Sequence, residues 1–348
     1  MGPFILKRLG VMLITALCMT FIVFFLTNLP PNLEKLAKTQ LGARITDEEV
    51  ASWLERNGYA QPMLSRYGEW LGVLPGFTHE AADGTVTGRC ARVARDGGTV
   101  PRYCGVLQGD WGYSTKFRVP VSELIGERLG RTGLLMFWAF AVMVPMALTI
   151  GVIAGMREGS ATDRTLSTFS IASTSTPEYV SGVIFVVIFA SSMVGLKWFT
   201  GSAKSAVDGI TFENFTLPVI TIALYGMGYI ARMTRASMAE VMTAQYIRTA
   251  RLKGVSFRNI VLRHALRNAL IAPFTVIMLQ FPWLLTGVVI VEALFVYPGF
   301  GNALVEGASN NDIELLLAVS VVAVVVVLIT QLISDIGYAF LNPRIRVS

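Results

Sequence analysis

The sequence predicts an all-helical protein that crosses a membrane about six times, because apolar stretches of spanning length recur along it. Of its 348 residues, 53% are hydrophobic and only 15% are charged, and the mean hydropathy is +0.57. In an ordinary soluble domain about a quarter of the residues are charged. The net charge of +6 reflects where Lys and Arg lie relative to the spans, and no nucleic-acid fold motif accompanies it.

The first predicted span lies within residues 1–29. Between Arg8 and Glu34 there are 25 uncharged residues, and Lys7 and Arg8 flank their amino-terminal side, so this helix is expected to enter from the cytoplasm. A cleaved signal peptide is the alternative, but its apolar core would be only about 7 to 15 residues long.

Residues 30–131 are hydrophilic and are expected outside, since long loops translocate largely regardless of charge. Thr46 and Glu49 have capping-box spacing, which predicts a helix that stops by Gly58. A second helix is expected within residues 62–74. Residues 75–106 are rich in Gly, Thr and Asp, which favours a loop or small hairpin of mixed structure inserted between the first two spans.

The cysteines indicate the redox compartment. Cys90 and Cys104 would form a disulfide in an oxidising compartment, and the alternative is two free thiols. Cys18 lies inside the first span, where it serves only packing. Three cysteines and two histidines are too few and too scattered for a metal cluster, so no metal is expected.

Residues 132–348 contain the other five predicted spans. A short amphipathic helix at residues 120–129 leads into them; the spans are placed at residues 132–156, within 165–196, and at 214–231, 268–291 and 315–334. Inner segments hold 14 Lys and Arg against four acids, whereas the last outer loop has four acids and no base. Both termini are therefore expected in the cytoplasm.

Two polar residues lie inside predicted spans. Glu178 follows Pro177 in the third span, and a charge at the bilayer centre costs about 2.5 to 3.5 kcal/mol on insertion scales. It is therefore a candidate residue lining a translocation pathway, as is Gln280 in the fifth span. The alternatives for Glu178 are a position at the membrane interface or pairing with backbone groups freed at Pro177.

Residues 232–267, called here the basic segment, connect the fourth and fifth spans. They contain eight Lys and Arg, interleaved with apolar residues at near-helical spacing, and Gly254 interrupts the pattern. This predicts a helix, a sharp corner at Gly254 and a second helix running to the next span. The alternative is a basic amphipathic segment lying on anionic lipid.

The letters TAQYIRTARLKGVSFRNIVLRHALRNALIAP at residues 243–273 resemble the cytoplasmic coupling loop of ABC importer permeases of the dipeptide, oligopeptide and nickel branch. Only Ala250, Gly254 and Leu266 match the broad signature of such loops, EAA, three residues, Gly, nine residues and I-x-L-P. The variant RTARLKG with LRHALRNAL is similar to the peptide branch itself. GDWGYS (109–114), PVSELIGERLGRT (120–132) and VIVEALFVYPGFGNAL (289–304) are similar to other segments of that branch, and residues 75–106 look like an insertion.

The resemblance implies a type I ABC importer permease fold in a bacterial inner membrane, in contact with lipid and not with nucleic acid. The chain would form half of a pathway for di- or oligopeptides. A second homologous permease, two ATPase subunits and a periplasmic binding protein would be its partners. The chain would be no enzyme and bind no cofactor, with ATP and Mg on the ATPases; consistently, it has no G-x-x-x-x-G-K-[ST] loop.

The resemblance also assigns the contact with the ATPase. A short helix ending at Gly254 would fit a groove on that subunit, its apolar residues packing there and Arg248 and Arg251 pairing with acidic rims. The expected coupling residues are Tyr246, Ile247, Arg248, Thr249, Ala250, Arg251, Lys253 and Gly254.

Two other classes compete with this interpretation. In a secondary transporter or channel, Glu178 would carry ions, the basic segment would only orient the chain, and the polypeptide would be active alone. A membrane-embedded enzyme would need a constellation such as H-E-x-x-H or G-x-S-x-G, and neither occurs.

Overall fold

The computed structural model describes residues 2–42, 44–80, 86–93, 99–192 and 196–341 and is mostly helical. The helices are α1 Gly2–Thr27, α2 Pro30–Leu41, α3 Asp47–Arg56, α4 Met63–Leu71, α5 Arg89–Val93, α6 Val121–Met156, α7 Ala161–Ser175, α8 Glu178–Phe189, α9 Phe212–Thr243, α10 Gln245–Leu252, α11 Phe257–Asn259, α12 Leu266–Ala269, α13 Ile271–Leu294, α14 Phe300–Ser309 and α15 Ile313–Leu341. A π-helical turn, Ile260–Ala265, joins α11 to α12. Strands β1 His79–Glu80 and β2 Val86–Thr87 pair antiparallel.

The predicted spans agree with the helices found. Four helices are long and apolar enough to cross a membrane: Leu6–Thr27, Val121–Met156, Phe212–Thr243 and Ile313–Gly337. Two bent pairs raise the number to six if each pair is one span, namely Ala161–Ser175 with Glu178–Phe189, and Phe257–Ala269 with Ile271–Leu284. These counts apply to the described residues, and they fit the predicted all-helical polytopic class.

Two short helices before α6 confirm local predictions. Thr46 caps α3 by accepting a hydrogen bond from the Glu49 backbone, and the Glu49 carboxylate accepts from the Thr46 backbone at 2.8 Å. The helix ends at Arg56, before Gly58, which adopts a positive φ of 81°. Helix α4 lies inside the predicted range 62–74.

Three predicted spans differ from the helices in their bounds. The short helix expected at residues 120–129 is continuous with the second span in α6. The fourth span was expected to stop at residue 231, but α9 runs on to Thr243, because Arg and Glu end the apolar stretch without ending a helix. The third span is broken: α7 and α8 meet at 105°, since Pro177 forces Thr176 into an extended conformation.

The chain divides into two compact units. The core unit comprises residues 1–8, 130–302 and 326–348, and the second unit comprises 9–129 and 303–325. This division differs from the expected one, a first helix, an outer region and a five-helix core at residues 132–348. The unit boundaries fall inside helices, so they do not follow the ends of the spans.

Helix α9 is at the centre of the core unit, where it packs against α7, α8 and α13. Its buried side chains include Leu217, Met227 and Ile230, and they meet Leu284 and Val288 of α13. Gly226 and Gly228 of α9 allow close approach, because a Cβ at Gly228 would collide with the Ser170 carbonyl of α7. Side chains on α9 are therefore held in fixed positions.

Candidate functional site

The basic segment begins in the last part of α9 and continues into the short helix α10, which follows α9 almost without interruption. Helix α9 ends at Thr243, α10 begins at Gln245, and only Ala244 lies between them, in an extended conformation with φ −64° and ψ 147°. A single residue therefore forms the corner between the two helices.

Gly254 ends α10, as the sequence predicts. Its φ of 74° lies in the left-handed region, which glycine adopts without steric cost. The Gly254 amide donates to the Arg251 carbonyl at 3.0 Å, and the Val255 amide donates to the Ala250 carbonyl at 3.1 Å. These two bonds form a Schellman motif, which satisfies carbonyls that the end of a helix leaves unpaired.

The apolar face of α10 is buried by the same chain. Ile247 is fully buried and Ala250 is 8% exposed, and both pack with Met238 of α9 and with Ile260 and Val261 of the π-helical turn. The predicted role of this helix has its apolar residues packing against a partner. Ile247 and Ala250 instead fasten α10 to the body of the chain.

The opposite face of α10 is exposed and cationic; its members are Tyr246, Arg248, Thr249, Arg251, Leu252 and Lys253. Leu252, which the sequence analysis did not select, is 82% exposed, and Tyr246 is 43% exposed. The Asn268 side chain donates to the Tyr246 hydroxyl at 3.0 Å, which ties this face to α12. An exposed leucine and tyrosine surrounded by cations are suited to a partner that offers an apolar pocket with an acidic rim.

A charged clamp fixes α9 just before α10. Arg235 donates two hydrogen bonds to the buried Asp163 carboxylate, at 2.5 and 2.7 Å. Asp163 lies in the first turn of α7, and it also accepts from the Gly159 amide at 2.9 Å and from the Ser167 hydroxyl at 3.1 Å. A bidentate pair of this kind fixes orientation as well as distance. Helices α7 and α9 are therefore joined within the first part of the basic segment.

Glu178 lines a cavity of about 370 Å³ in the core unit. It is the first residue of α8, where the helix dipole favours a negative charge. The residue is 9% exposed, and no described residue forms a hydrogen bond or an ion pair with its carboxylate. The cavity also contains Thr174, Ser175, Pro177, Tyr179, Tyr225, Trp283, Gly287 and Ile290.

Aromatic rings form the wall opposite α8. Tyr225 of α9 and Trp283 of α13 are stacked, with their centroids 4.6 Å apart and their planes 13° from parallel. Gly287 brings the backbone of α13 close to the carboxylate, because a Cβ there would lie 3.0 Å from Glu178 Oε1. The cavity thus combines a buried carboxylate with a flat aromatic surface.

The second predicted pathway residue, Gln280, lies elsewhere. It is on α13, it is 8% exposed, and it does not line the Glu178 cavity. The structure therefore brings Glu178 together with Tyr225 and Trp283, which the sequence analysis did not identify. Their only sequence signal is that both are aromatic residues inside predicted spans, which gives no information about their proximity.

Glu292 is a buried carboxylate with a structural role that was not predicted from the sequence. It is fully buried; its carboxylate accepts from the Thr132 hydroxyl and from the Asn302 amide, the latter at 2.9 Å. Thr132 in turn accepts from the Phe300 amide at 2.8 Å. Phe300 and Asn302 are in the first turn of α14, so Glu292 and Thr132 satisfy amides that a helix start leaves unpaired.

Neighbouring residues leave no space around Glu292. A Cβ at Gly299 would collide with the Glu292 carboxylate. The absence of a side chain at Gly299, in the sequence P-G-F-G at residues 298–301, therefore leaves room for this carboxylate. Burial, together with the nearby charge of Glu292, raises the pKa of Tyr297 to about 12. Tyr297 therefore keeps its proton, and its hydroxyl donates to the Arg131 carbonyl at 2.9 Å. An acid followed closely by P-G-F-G is the signal that could have revealed this network.

The described residues within 75–106, which were predicted to be an insertion, are linked by covalent and ionic contacts to other parts of the second unit. Cys90 and Cys104 form a disulfide in the structure, and Cys18 is a free thiol. Next to Cys90, Arg89 forms ion pairs with Asp110 at 3.4 Å and with Glu314 at 3.3 Å. The predicted hairpin is present as the pair of β1 and β2, although residues 81–85 and 94–98 lie outside the described ones. Nowhere in the described chain do three or more His, Cys, Asp or Glu side chains form a group that could hold a metal ion.

Comparisons with known proteins agree on one kind of protein. Residues 147–347 match the family described as binding-protein-dependent transport system inner membrane component. A probable peptide ABC transporter permease protein, y4tP of Sinorhizobium fredii, is 30% identical over 99% of this chain and 100% of its own length. The oligopeptide transport system permease protein AppB of Bacillus subtilis is 28% identical over 99% and 100%, respectively.

Two further matches are a permease named for glutathione transport and a solved structure of low sequence identity. The glutathione transport system permease protein GsiC of Salmonella choleraesuis is 29% identical over 99% of this chain and 98% of its own. A solved structure of an amino acid ABC transporter with histidines aligns with 63% of this chain and 94% of its own chain, at 16% identity and a TM-score of 0.47.

Proposed function

The chain belongs to the family of binding-protein-dependent transport system inner membrane components, and from this premise we propose that it is a permease subunit of an ATP-driven peptide importer. Two of the full-length relatives carry peptide or oligopeptide transport in their names, and a third carries glutathione, itself a small peptide. The chain forms half of the translocation pathway, and a homologous permease forms the other half.

The exposed face of α10 carries the mechanical part of this proposal. The apolar side of the helix is used for packing within the chain, whereas Tyr246 and Leu252 remain exposed among Arg248, Arg251 and Lys253. An ATPase subunit that presents an apolar pocket with acidic edges fits this face. Motion of that subunit reaches α9 through the one-residue corner at Ala244.

The remaining partners follow from the same assignment. ATP and Mg bind to two ATPase subunits, because the chain contains no G-x-x-x-x-G-K-[ST] loop and hydrolysis must reach it mechanically. A periplasmic binding protein delivers the substrate. Both termini lie in the cytoplasm, which places the basic segment on the side of the ATPases.

A charge at Leu252 tests the docking face without disturbing the chain's own core. We expect Leu252→Asp to reduce copurification of the ATPase subunits about tenfold, because a carboxylate would be buried in an apolar pocket of the partner. Vanadate-sensitive ATP hydrolysis by the purified assembly and peptide uptake by reconstituted vesicles should fall together.

Leu107→Asp is the matched control, since Leu107 is also a well-exposed leucine, at 69%, but lies in the region between α1 and α6. It should leave ATPase copurification at the wild-type level. Equal copurification by the Leu252 variant and wild type would refute the docking face. Transport by the purified chain without any ATPase would favour a secondary transporter instead.

A further inference from the structure

We propose that the Glu178 cavity binds the organic ammonium group of the transported substrate, with the carboxylate as counter-ion and Tyr225 and Trp283 as the aromatic wall. The inference rests on the proposed peptide importer and specifies what the pathway recognises. A peptide offers such a group at its amino terminus and on lysine side chains, and both sources have the same chemistry at the cavity.

The carboxylate is the first argument. Glu178 is nine-tenths buried, it faces a cavity of about 370 Å³, and no described residue pairs with it. Buried carboxylates are ordinarily satisfied by hydrogen bonds or by a cation, since an unpaired buried charge is costly. The missing partner is therefore expected to be a ligand cation that is present only during transport.

The aromatic wall is the second argument. Cations bind over the faces of Trp and Tyr rings, and paired aromatics beside a carboxylate are a common way to recognise ammonium groups. A neighbouring ring on α9 already makes a cation–π contact: the Arg232 guanidinium lies 5.1 Å from the centroid of the Tyr229 ring. Tyr229 in turn contacts Tyr225, with ring centroids 5.8 Å apart.

The helices that carry the stacked aromatic pair also connect the cavity to the basic segment. Tyr225 belongs to α9, whose last twelve residues begin the basic segment, and Trp283 belongs to α13, which follows that segment. Tyr225 lies about 27 Å before the end of α9, at 1.5 Å per residue. Since α10 is joined directly to α9, a shift of α10 changes the spacing of the stacked pair. The cavity can thus hold an ammonium group in one state of the transporter and release it in another.

Carbodiimide modification of the purified wild-type assembly tests the subsite directly. A hydrophobic carbodiimide reacts with carboxyl groups in apolar sites. Mass spectrometry reports total modification at residue 178 separately from residue 292, counting together the carbodiimide adduct and the propylamide that a primary amine forms with the activated carboxyl. We expect propylammonium to slow labelling of Glu178 about fivefold or more, whereas the neutral isostere propanol does not, because only the cation pairs with the carboxylate.

Glu292 is the internal control, since its carboxylate is already satisfied and fully buried; its labelling should be unaffected by either compound. Equal protection of Glu178 by propylammonium and propanol would overturn the inference, because it would show an apolar cavity without charge recognition. Absence of protection by propylammonium would overturn it as well.

Uptake by reconstituted vesicles containing the whole transporter and its binding protein then identifies the source of the ammonium group. The probes are trialanine and N-acetyl-Ala-Lys-Ala, and the variant is Glu178→Gln. Slower import of trialanine assigns the peptide amino terminus, and slower import of only the lysine peptide assigns the side chain; about a tenfold loss is expected.

The two proposals fail in different ways. If the Glu178→Gln variant imports both peptides at wild-type rates, the ammonium subsite is refuted while the importer stands. If the wild type imports no peptide, the proposed substrate class is refuted, and the carbodiimide experiment still reports whether the cavity pairs with ammonium groups.

Discussion

Glu178 and Glu292 are two buried carboxylates of the core unit, both on apolar helices, that differ in their surroundings. Glu292 is fully buried and accepts hydrogen bonds from Thr132 and Asn302. Glu178 faces a cavity, and none of the described residues pairs with it. The side-chain chemistry is the same and both residues are buried, so the difference in role comes from which groups are hydrogen-bonded to each carboxylate.

The comparison shows how to separate structural acids from those available for a ligand. Around Glu292 the chain supplies a hydroxyl, two glycines and the start of a helix, which together leave no space and no unpaired oxygen. Around Glu178 the chain supplies rings, a proline and a glycine, which leave space, and no described side chain of the lining is hydrogen-bonded to the carboxylate. Asp163 belongs with Glu292, since Arg235 and the Gly159 amide satisfy it.

The largest effect is expected at Glu292. Glu292→Ala leaves the Thr132 hydroxyl and the Asn302 amide without an acceptor and opens a cavity under α14, so the assembled protein should lose about 3 to 5 kcal/mol of stability. The thermal midpoint of the detergent-purified transporter would report the loss. Leu107→Asp, on the surface, provides the baseline, and a midpoint within error of that baseline would show that Glu292 is not structural.

An intermediate effect is expected at the clamp between α7 and α9. Arg235→Ala leaves the buried Asp163 with only neutral donors, which should cost roughly 2 to 3 kcal/mol. Arg235→Lys keeps the charge but loses the bidentate geometry, and its midpoint should fall between those of Arg235→Ala and wild type. If the lysine and alanine variants unfold at the same temperature, charge contributes nothing to the clamp.

The smallest effect on stability is expected at Glu178. Glu178→Gln removes no bond within the described chain, so its stability should stay within about 0.5 kcal/mol of wild type. The same heating measurement applies, with Glu292→Gln as the matched change at the satisfied carboxylate. A loss at Glu178 as large as that at Glu292 would remove the contrast between the two acids and assign Glu178 to packing.

Much of the fold could be predicted because its signals are local. Uncharged stretches of spanning length located the helices, the spacing of Thr46 and Glu49 predicted the start of α3, and Gly254 predicted the end of α10. Helix ends were less predictable: the first arginine after the fourth span ended the apolar stretch, but α9 continues for three more turns, to Thr243.

The candidate site was predicted only in part. Glu178 was identifiable by itself, since a carboxylate in an apolar span is unusual. Its neighbours Tyr225 and Trp283 are far away in the sequence and look like ordinary aromatic residues of membrane helices. On α10 the helical pattern revealed which residues share a face, but it could not tell whether that face meets the chain itself or a partner.

The sequence by itself determined the membrane class, the approximate spans, the basic segment with its corner and the resemblance to peptide-type permeases, because hydropathy, charge and turn residues act over a few neighbours. Only the tertiary structure decided that Ile247 and Ala250 pack inward, that Leu252 remains exposed, and that Glu292 is satisfied whereas Glu178 is not. Those outcomes depend on contacts between residues up to about 170 positions apart, and the supply of donors and space at each carboxylate is fixed only when the helices pack.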